Sequence, residues 1–171
     1  MANLVTIGLA KIEIGAIAGD GDMGTSLAVV GYTAEGGATW NTEDPTETEI
    51  KVEEVDTPIY ISTEPGKSTL TFSLASPDLD QCAAVFGGTV SGSGTAKTWD
   101  YPDAVVVLEK SVKITPKVGL VFKIPRASLS AKFSGSFARA DTLKIEIVLT
   151  VLQPTKSGVK PMKLSLVTGE A

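Results

Sequence analysis

Little in this chain is equipped for catalysis. Its 171 residues include no histidine and a single cysteine, Cys82. That excludes a Ser-His-Asp triad, a Cys-His pair and zinc sites of ordinary Cys/His composition. Chemistry would have to rest on carboxylates, lysines or hydroxyls. Gly19-Asp20-Gly21-Asp22-Met23-Gly24 has alternating aspartates that could converge on calcium, but it lacks the third oxygen ligand and the distal bidentate Glu. It reads as a turn between strands. Gly87-Gly88-Thr89-Val90-Ser91-Gly92-Ser93-Gly94-Thr95 has the glycines of a phosphate cradle. Such a cradle needs a helix to begin after the glycines, and here a predicted helix ends before them, so a flexible Gly/Ser loop is expected. Glu53 and Glu54 are paired carboxylates, yet neighbours on an extended strand face opposite ways. Trp40 and Trp99 are isolated in sequence, which leaves no aromatic platform for a sugar. No catalytic, cofactor-binding or metal-ligating residue is assigned, and no enzyme activity is expected.

The elements that carry these residues are mostly strands. In Ser128-Leu129-Ser130-Ala131-Lys132-Phe133-Ser134-Gly135-Ser136-Phe137 every odd position is apolar or Gly and every even one is Ser or Lys, the pattern of a strand with one buried face. Leu143, Ile145, Ile147, Leu149 and Val151 share the apolar face of a second strand, with Ala138 to Asp141 as the hairpin connection. Alternation also marks strands over 118–124, around Val112 and Ile114, and around Leu70, Phe72 and Leu74. Further strands are expected near Lys11 to Ile17, Ser26 to Tyr32, Ala38 to Thr42, Ala104 to Leu108 and Met162 to Val167. Gly and Pro, 26 residues together, punctuate the runs.

One short helix is expected at about residues 77–86, with Ser76 as cap, Pro77 in the first position, and Gly87-Gly88 as the stop. Leu79, Ala83 and Phe86 form its apolar stripe, and Cys82 reads as a small buried hydrophobe of a chain folded in a reducing compartment. The fold class is mainly β: an antiparallel β-barrel or sandwich, one domain over 1–171, with one flanking helix and a long acidic loop or arm at about 43–66. The first residues lack the basic leader and unbroken apolar run of a signal peptide, and no uncharged apolar stretch approaches the roughly 20 residues that span a bilayer. A soluble protein, with no membrane partner, is expected.

Charge is divided along the chain. Residues 1–96 carry 14 Asp and Glu against 3 Lys, and residues 97–171 carry 12 Lys and Arg against 6 acids, giving −11 and +6 within a net −5. The stretch from Glu43 to Asp56 holds seven of those acids with one lysine. Identical copies placed with the acidic part of one on the basic part of the next attract each other. The candidate contacts between subunits are therefore Glu43, Asp44, Glu47, Glu49, Glu53, Glu54 and Asp56 on one side, and Lys113, Lys123, Lys132 and Lys144 on the other. The acidic stretch also keeps Ile50, Val52, Val55, Ile59, Tyr60 and Ile61, too apolar for an ordinary solvated loop. The alternative is a charge-rich surface hairpin on a monomer. Lys110, Lys113, Lys117, Lys123, Arg126, Lys132, Arg139 and Lys144 could form a nucleic-acid track, but a pI of ≈ 4.8 and the absence of interleaved aromatics oppose it.

Several stretches in the first ninety residues resemble tail tube proteins of long-tailed bacteriophages. These are the Lys-Ile-Glu-Ile-Gly strand, the Gly-Asp-Gly-Asp-Met-Gly turn, Glu43-Asp44-Pro45-Thr46, the run from Ser62 to Leu74, and Asp78-Leu79 through Phe86-Gly87-Gly88-Thr89. The resemblance implies a fold shared with type VI secretion tube proteins and hexameric rings stacked into a tube through which double-stranded DNA passes without specific binding. Its implied partners are further copies of the chain, the tape measure, the tail tip and the terminator, and its implied place is the virion tail, after assembly in the host cytoplasm. It implies that the loop at Glu43 to Gly66 makes contacts between rings. A net-acidic conduit suits DNA passage, because it does not hold phosphates. The alternatives are a carbohydrate-binding or adhesin-like β-sandwich module, and a terminator or hub component on the same fold.

Overall fold

The computed structural model describes residues 5–75, 77–104, 106–137 and 142–167. Among these the chain runs β1 (Ile7–Gly15), β2 (Leu27–Val29), β3 (Thr33–Thr42), β4 (Thr46–Val52), β5 (Val55–Glu64), β6 (Ser68–Leu74), α1 (Leu79–Phe86), β7 (Thr89–Ser91), β8 (Thr98–Asp100), β9 (Leu108–Val118), β10 (Leu120–Ser134), β11 (Lys144–Val151) and β12 (Lys163–Leu166). The main sheet has the order β2-β1-β9-β10-β11-β6-β3, with β12 added to β10, and its pairings are antiparallel. β4 with β5, and β7 with β8, form separate two-stranded sheets.

β10 serves two neighbours because it bends. Its first residues, Leu120 to Lys123, pair with β12, and Ala127 to Ser134 pair with β11. The change falls at Pro125, which has no N–H to give a ladder, and the register with β9 shifts between Ile124 and Ala127. Buried Ser111 fixes the bend. Its hydroxyl donates to the Pro125 carbonyl at 2.7 Å and accepts from the Gly24 N–H at 2.8 Å.

Cross-strand register sets the core in rows. Leu108, Leu129, Leu149, Leu70 and Trp40 stand opposite one another across β9, β10, β11, β6 and β3. Ile12, Ile114 and Phe122 do the same across β1, β9 and β10, and Leu164 of β12 continues the register at an exposed position. Phe72, Ile145, Ile147 and Leu149 are at most 1% exposed, and burying each such side chain contributes about 1.5–3 kcal/mol. The two rows meet where the sheet rolls over itself, with the rings of Trp40 and Phe122 5.3 Å apart. The roll is sandwich-like and stops short of a barrel: β3 pairs with β6 alone, and Ile7 to Lys11 of β1 pair with β9 alone.

Several boundaries differ from the sequence expectation. The helix starts at Leu79, two residues later than Pro77, because Asp78 caps it. Its carboxylate accepts from the Gln81 N–H at 2.8 Å, and the Gln81 side chain accepts from the Asp78 N–H at 3.2 Å, a reciprocal capping box. Ser76 and the connection Ala138 to Asp141 lie outside the described residues. The buried stripe of α1 is Cys82, Val85 and Phe86; Ala83 is only half-buried. Ala104, Val106 and Val107 precede β9 without joining it, and the two strands expected over 118–124 and 128–137 are one bent strand. The Gly/Ser loop is not free: Thr89 to Ser91 and Thr98 to Asp100 pair as a hairpin, with a 3-10 turn at Gly94–Ala96, and Lys97 ion-pairs with Asp80 of the helix. The acidic loop is a hairpin as well. None of the described helices is long and apolar enough to cross a membrane.

Candidate assembly surfaces

The acidic segment is built by continuation of the β3–β6 hairpin. Ala38 faces Phe72 and Thr42 faces Ser68; Glu43 N–H donates to the Lys67 carbonyl at 2.9 Å; then Thr46 faces Glu64 and Ile50 faces Tyr60. The register is constant from Ala38 to Ile50, so β4 and β5 extend the ribbon outward as an arm. Its base is tight, since a Cβ on Gly66 would lie 1.9 Å from the Glu43 carbonyl oxygen. Only Gly fits there.

Residues directly opposite in an antiparallel pair share a face. Thr46, Thr48, Ile50, Tyr60 and Ser62 therefore form one uncharged face, closed at the base by Glu64. Glu47 and Glu49 stand on the other, opposite Thr63 and Ile61, and Lys51 pairs with Glu49 at 3.0 Å. Glu53 and Glu54 form the turn at the tip, so they are adjacent in a turn and not extended; Asp56 follows, and Glu43 and Asp44 sit at the base. All of β4 is exposed, and Ile50, Ile59, Tyr60 and Ile61 are 49–60% exposed. Their burial has no provider within the main sheet.

The four candidate lysines stand on the main sheet, in a different sheet from the arm acids. Lys113 and Lys123 are cross-strand neighbours, and the row extends to Glu13 on one side and Lys163 on the other. Lys132 is engaged inside the chain, 3.0 Å from Glu146 opposite it. Lys144 faces Ser134. The longer basic track is broken by Arg126, which grips Glu109 through two hydrogen bonds of 2.8 Å and donates to the Gln153 carbonyl. That pairing holds the Glu109 carboxyl below the usual range and raises Arg126. Arg139 lies outside the described residues.

The remaining candidates resolve into structural roles. Lys156 inserts its ammonium between Asp20 and Asp22 at 2.7 and 2.8 Å, and its hydrogen bonds hold both carboxyls below the usual range. The Gly-Asp-Gly-Asp turn thus clamps the 154–158 loop, and among the described residues no cluster of three or more His, Cys, Asp or Glu is placed to hold a metal. Cys82 is buried, and desolvation, with Asp78 adding to it, pushes its thiol up.

The tryptophans are not isolated. Trp99 packs with Phe86, Tyr101 and Phe133 at ring separations of 5.8, 5.5 and 6.3 Å, and its indole N–H donates to the Gly87 carbonyl at 2.9 Å. These residues come from three distant parts of the chain, which concealed the cluster in the sequence. A second feature also escaped sequence reasoning: a groove of ≈ 810 Å³ between β1 and β3, floored by Leu9, Trp40, Leu70, Ile114 and Phe122, with Lys11, Lys117 and Glu35 at its margins.

No protein-family model matches the chain, and no curated protein matches it.

Proposed function

We propose that this protein is a non-enzymatic structural subunit that assembles with copies of itself into stacked rings, hexameric in the tail-tube pattern, and that the stack is the tail tube of a long-tailed phage. The observation that carries this reading is the arm: a two-stranded ribbon presenting half-exposed Ile50, Ile59, Tyr60 and Ile61 among clustered acids. An apolar ribbon of this kind is an interaction element. The open edges of the main sheet add to it, because ring closure through neighbours removes edges that a monomer leaves unpaired. A heterologous contact either closes or propagates, and a stack of rings uses both operations. The tape measure, tail tip and terminator would be its partners in the virion.

Negative-stain microscopy of concentrated full-length protein, alone and co-expressed with a tail-tip complex, tests the reading. Tubes are expected. Single rings that never stack would instead indicate a terminator or hub component, and monomers under both conditions would refute self-assembly. A second reading, a carbohydrate-binding module, draws on the cluster of Trp99 with Tyr101, which is 59% exposed. A glycan screen in which binding is lost on Trp99→Ala and Tyr101→Ala would favour it.

A further inference from the structure

We propose that the open seam between β1 and β3 receives the β4–β5 arm of a second copy of the chain. This rests on the self-assembly reading and identifies the receiving surface. The seam is where the rolled sheet fails to close. On one side Ile7 to Lys11 pair only with β9, and on the other β3 pairs only with β6, so unpaired backbone edges border the groove from both sides. Such edges accept an added strand through main-chain hydrogen bonds, with pockets selecting alternate side chains.

The arm supplies what the seam lacks. Its face bearing Ile50 and Tyr60 matches the apolar floor made by Leu9, Trp40, Ile114 and Phe122. The seven residues of β4 extend about 23 Å, close to the roughly 26 Å of the eight residues from Thr33 to Trp40. Charge adds little to this match: Glu47 and Glu49 stand on the arm face away from Ile50 and Tyr60, and at the groove margin Lys11 is paired with Glu13 at 3.2 Å while Lys117 stands near Glu35. Lys117 is exposed, its stem lying across Gly8.

The occupant has to be a second copy. The chain's own arm leaves β3 beyond Trp40 in unbroken register with β6, held by the Glu43–Lys67 hydrogen bond and the close contact at Gly66. Returning to its own seam would require reversal at that base. A copy displaced along the ribbon axis needs no reversal, and it leaves its own seam open for the next arm, so the contact propagates.

The test uses full-length protein in a Cys82→Ala background. Chains carrying Ala38→Cys in the seam are mixed with chains carrying Ile50→Cys or Tyr60→Cys on the arm, assembled, joined with a short bis-maleimide and mapped by mass spectrometry. Seam-to-arm links between copies are expected, with Phe137→Cys, at an exposed position beyond the end of β10 and outside the groove lining, giving few. Ala38→Trp, which fills the groove at an exposed position, should abolish assembly while leaving thermal unfolding of the monomer unchanged. Particles that form normally but link the arm to sites other than the seam, or that tolerate Ala38→Trp, overturn the seam and leave self-assembly standing. Absence of both particles and links overturns the self-assembly reading and the seam with it.

Discussion

Removing the apolar side chains of the arm separates assembly from folding. Ile50, Ile59, Tyr60 and Ile61 are 50%, 59%, 60% and 49% exposed, so each has about half its surface left to bury in a partner. Full burial of such a side chain is worth about 1.5–3 kcal/mol, and the remaining half therefore contributes roughly 1 kcal/mol apiece. Ile50 and Tyr60 share one face and Ile59 and Ile61 the other. A contact that covers one face therefore loses two of these side chains in the four-fold variant Ile50→Thr, Ile59→Thr, Tyr60→Thr and Ile61→Thr, about 1.5–3 kcal/mol or roughly 10- to 100-fold in association. Threonine keeps the β-branched shape that strands favour, so the hairpin persists. The assay pairs sedimentation velocity across a concentration series with thermal unfolding of the monomer. Assembly should move to at least about ten-fold higher concentration, while monomer stability changes by less than about 0.5 kcal/mol, as for surface positions generally. An unaltered assembly threshold would refute the reasoning, and so would a large loss of monomer stability, which would place these side chains in the fold itself.

Reversing Glu47, Glu49, Glu53 and Glu54 to Lys together should impair assembly and leave the monomer folded, whereas each single reversal does little, because exposed pairs contribute about 0–1 kcal/mol; tube length and yield by microscopy read both. Gly66→Ala places a methyl against the Glu43 carbonyl, and hydrogen exchange should rise through β4 and β5 while the amides of β6 and β11 stay protected. Lys156→Met should return the Asp20 and Asp22 carboxyls upward toward their ordinary value of 3.8, followed by carboxyl-detected NMR. Because these pKa values are lowered in the fold, their stabilisation is present above the ordinary value and is lost as pH falls through the lowered one; that acid-side loss should shrink in the variant, with the Asp22 and Met23 N–H donors keeping the remainder. On the alkaline side the contribution of Lys156 is fully present below 10.5 and is lost as pH rises from there through its raised value.

The strands readable in sequence were those whose alternation is apolar against polar, as in β11, where Ile145, Ile147 and Leu149 are buried and Lys144 and Glu146 are not. β4 alternates too, but it alternates Thr against Glu, so hydropathy gave no strand signal and the segment read as a loop. The helix cap was present as Asp78 with Gln81 three residues on, and the Ser76-Pro77 pair beside it offered a competing start of the same kind. Alternation marked separate strands over 118–124 and 128–137 because it lapses around Pro125, whereas a bulge lets one strand pass through. The separation of the candidate lysines follows from pairing: Lys132 meets Glu146 only because β10 and β11 are neighbours in that register. The groove and the Trp99 cluster depend on which strand edges fail to meet and on residues brought together from 86 to 133, relations that no local pattern encodes.

The unbroken register from Ala38 to Ile50 also makes the arm a mechanical element. A pull along the arm passes directly into β3 and β6, and β6 is laced on both sides, to β3 and to β11. Ladder hydrogen bonds lie across the strands, so tension along the ribbon loads many of them at once in shear and does not peel them singly. Across the short unpaired interval at Asp44-Pro45 and Pro65-Gly66 the load is carried by the two backbones, steadied by the Glu43–Lys67 hydrogen bond and the close packing at Gly66. The arm therefore passes tension on to the body of the subunit.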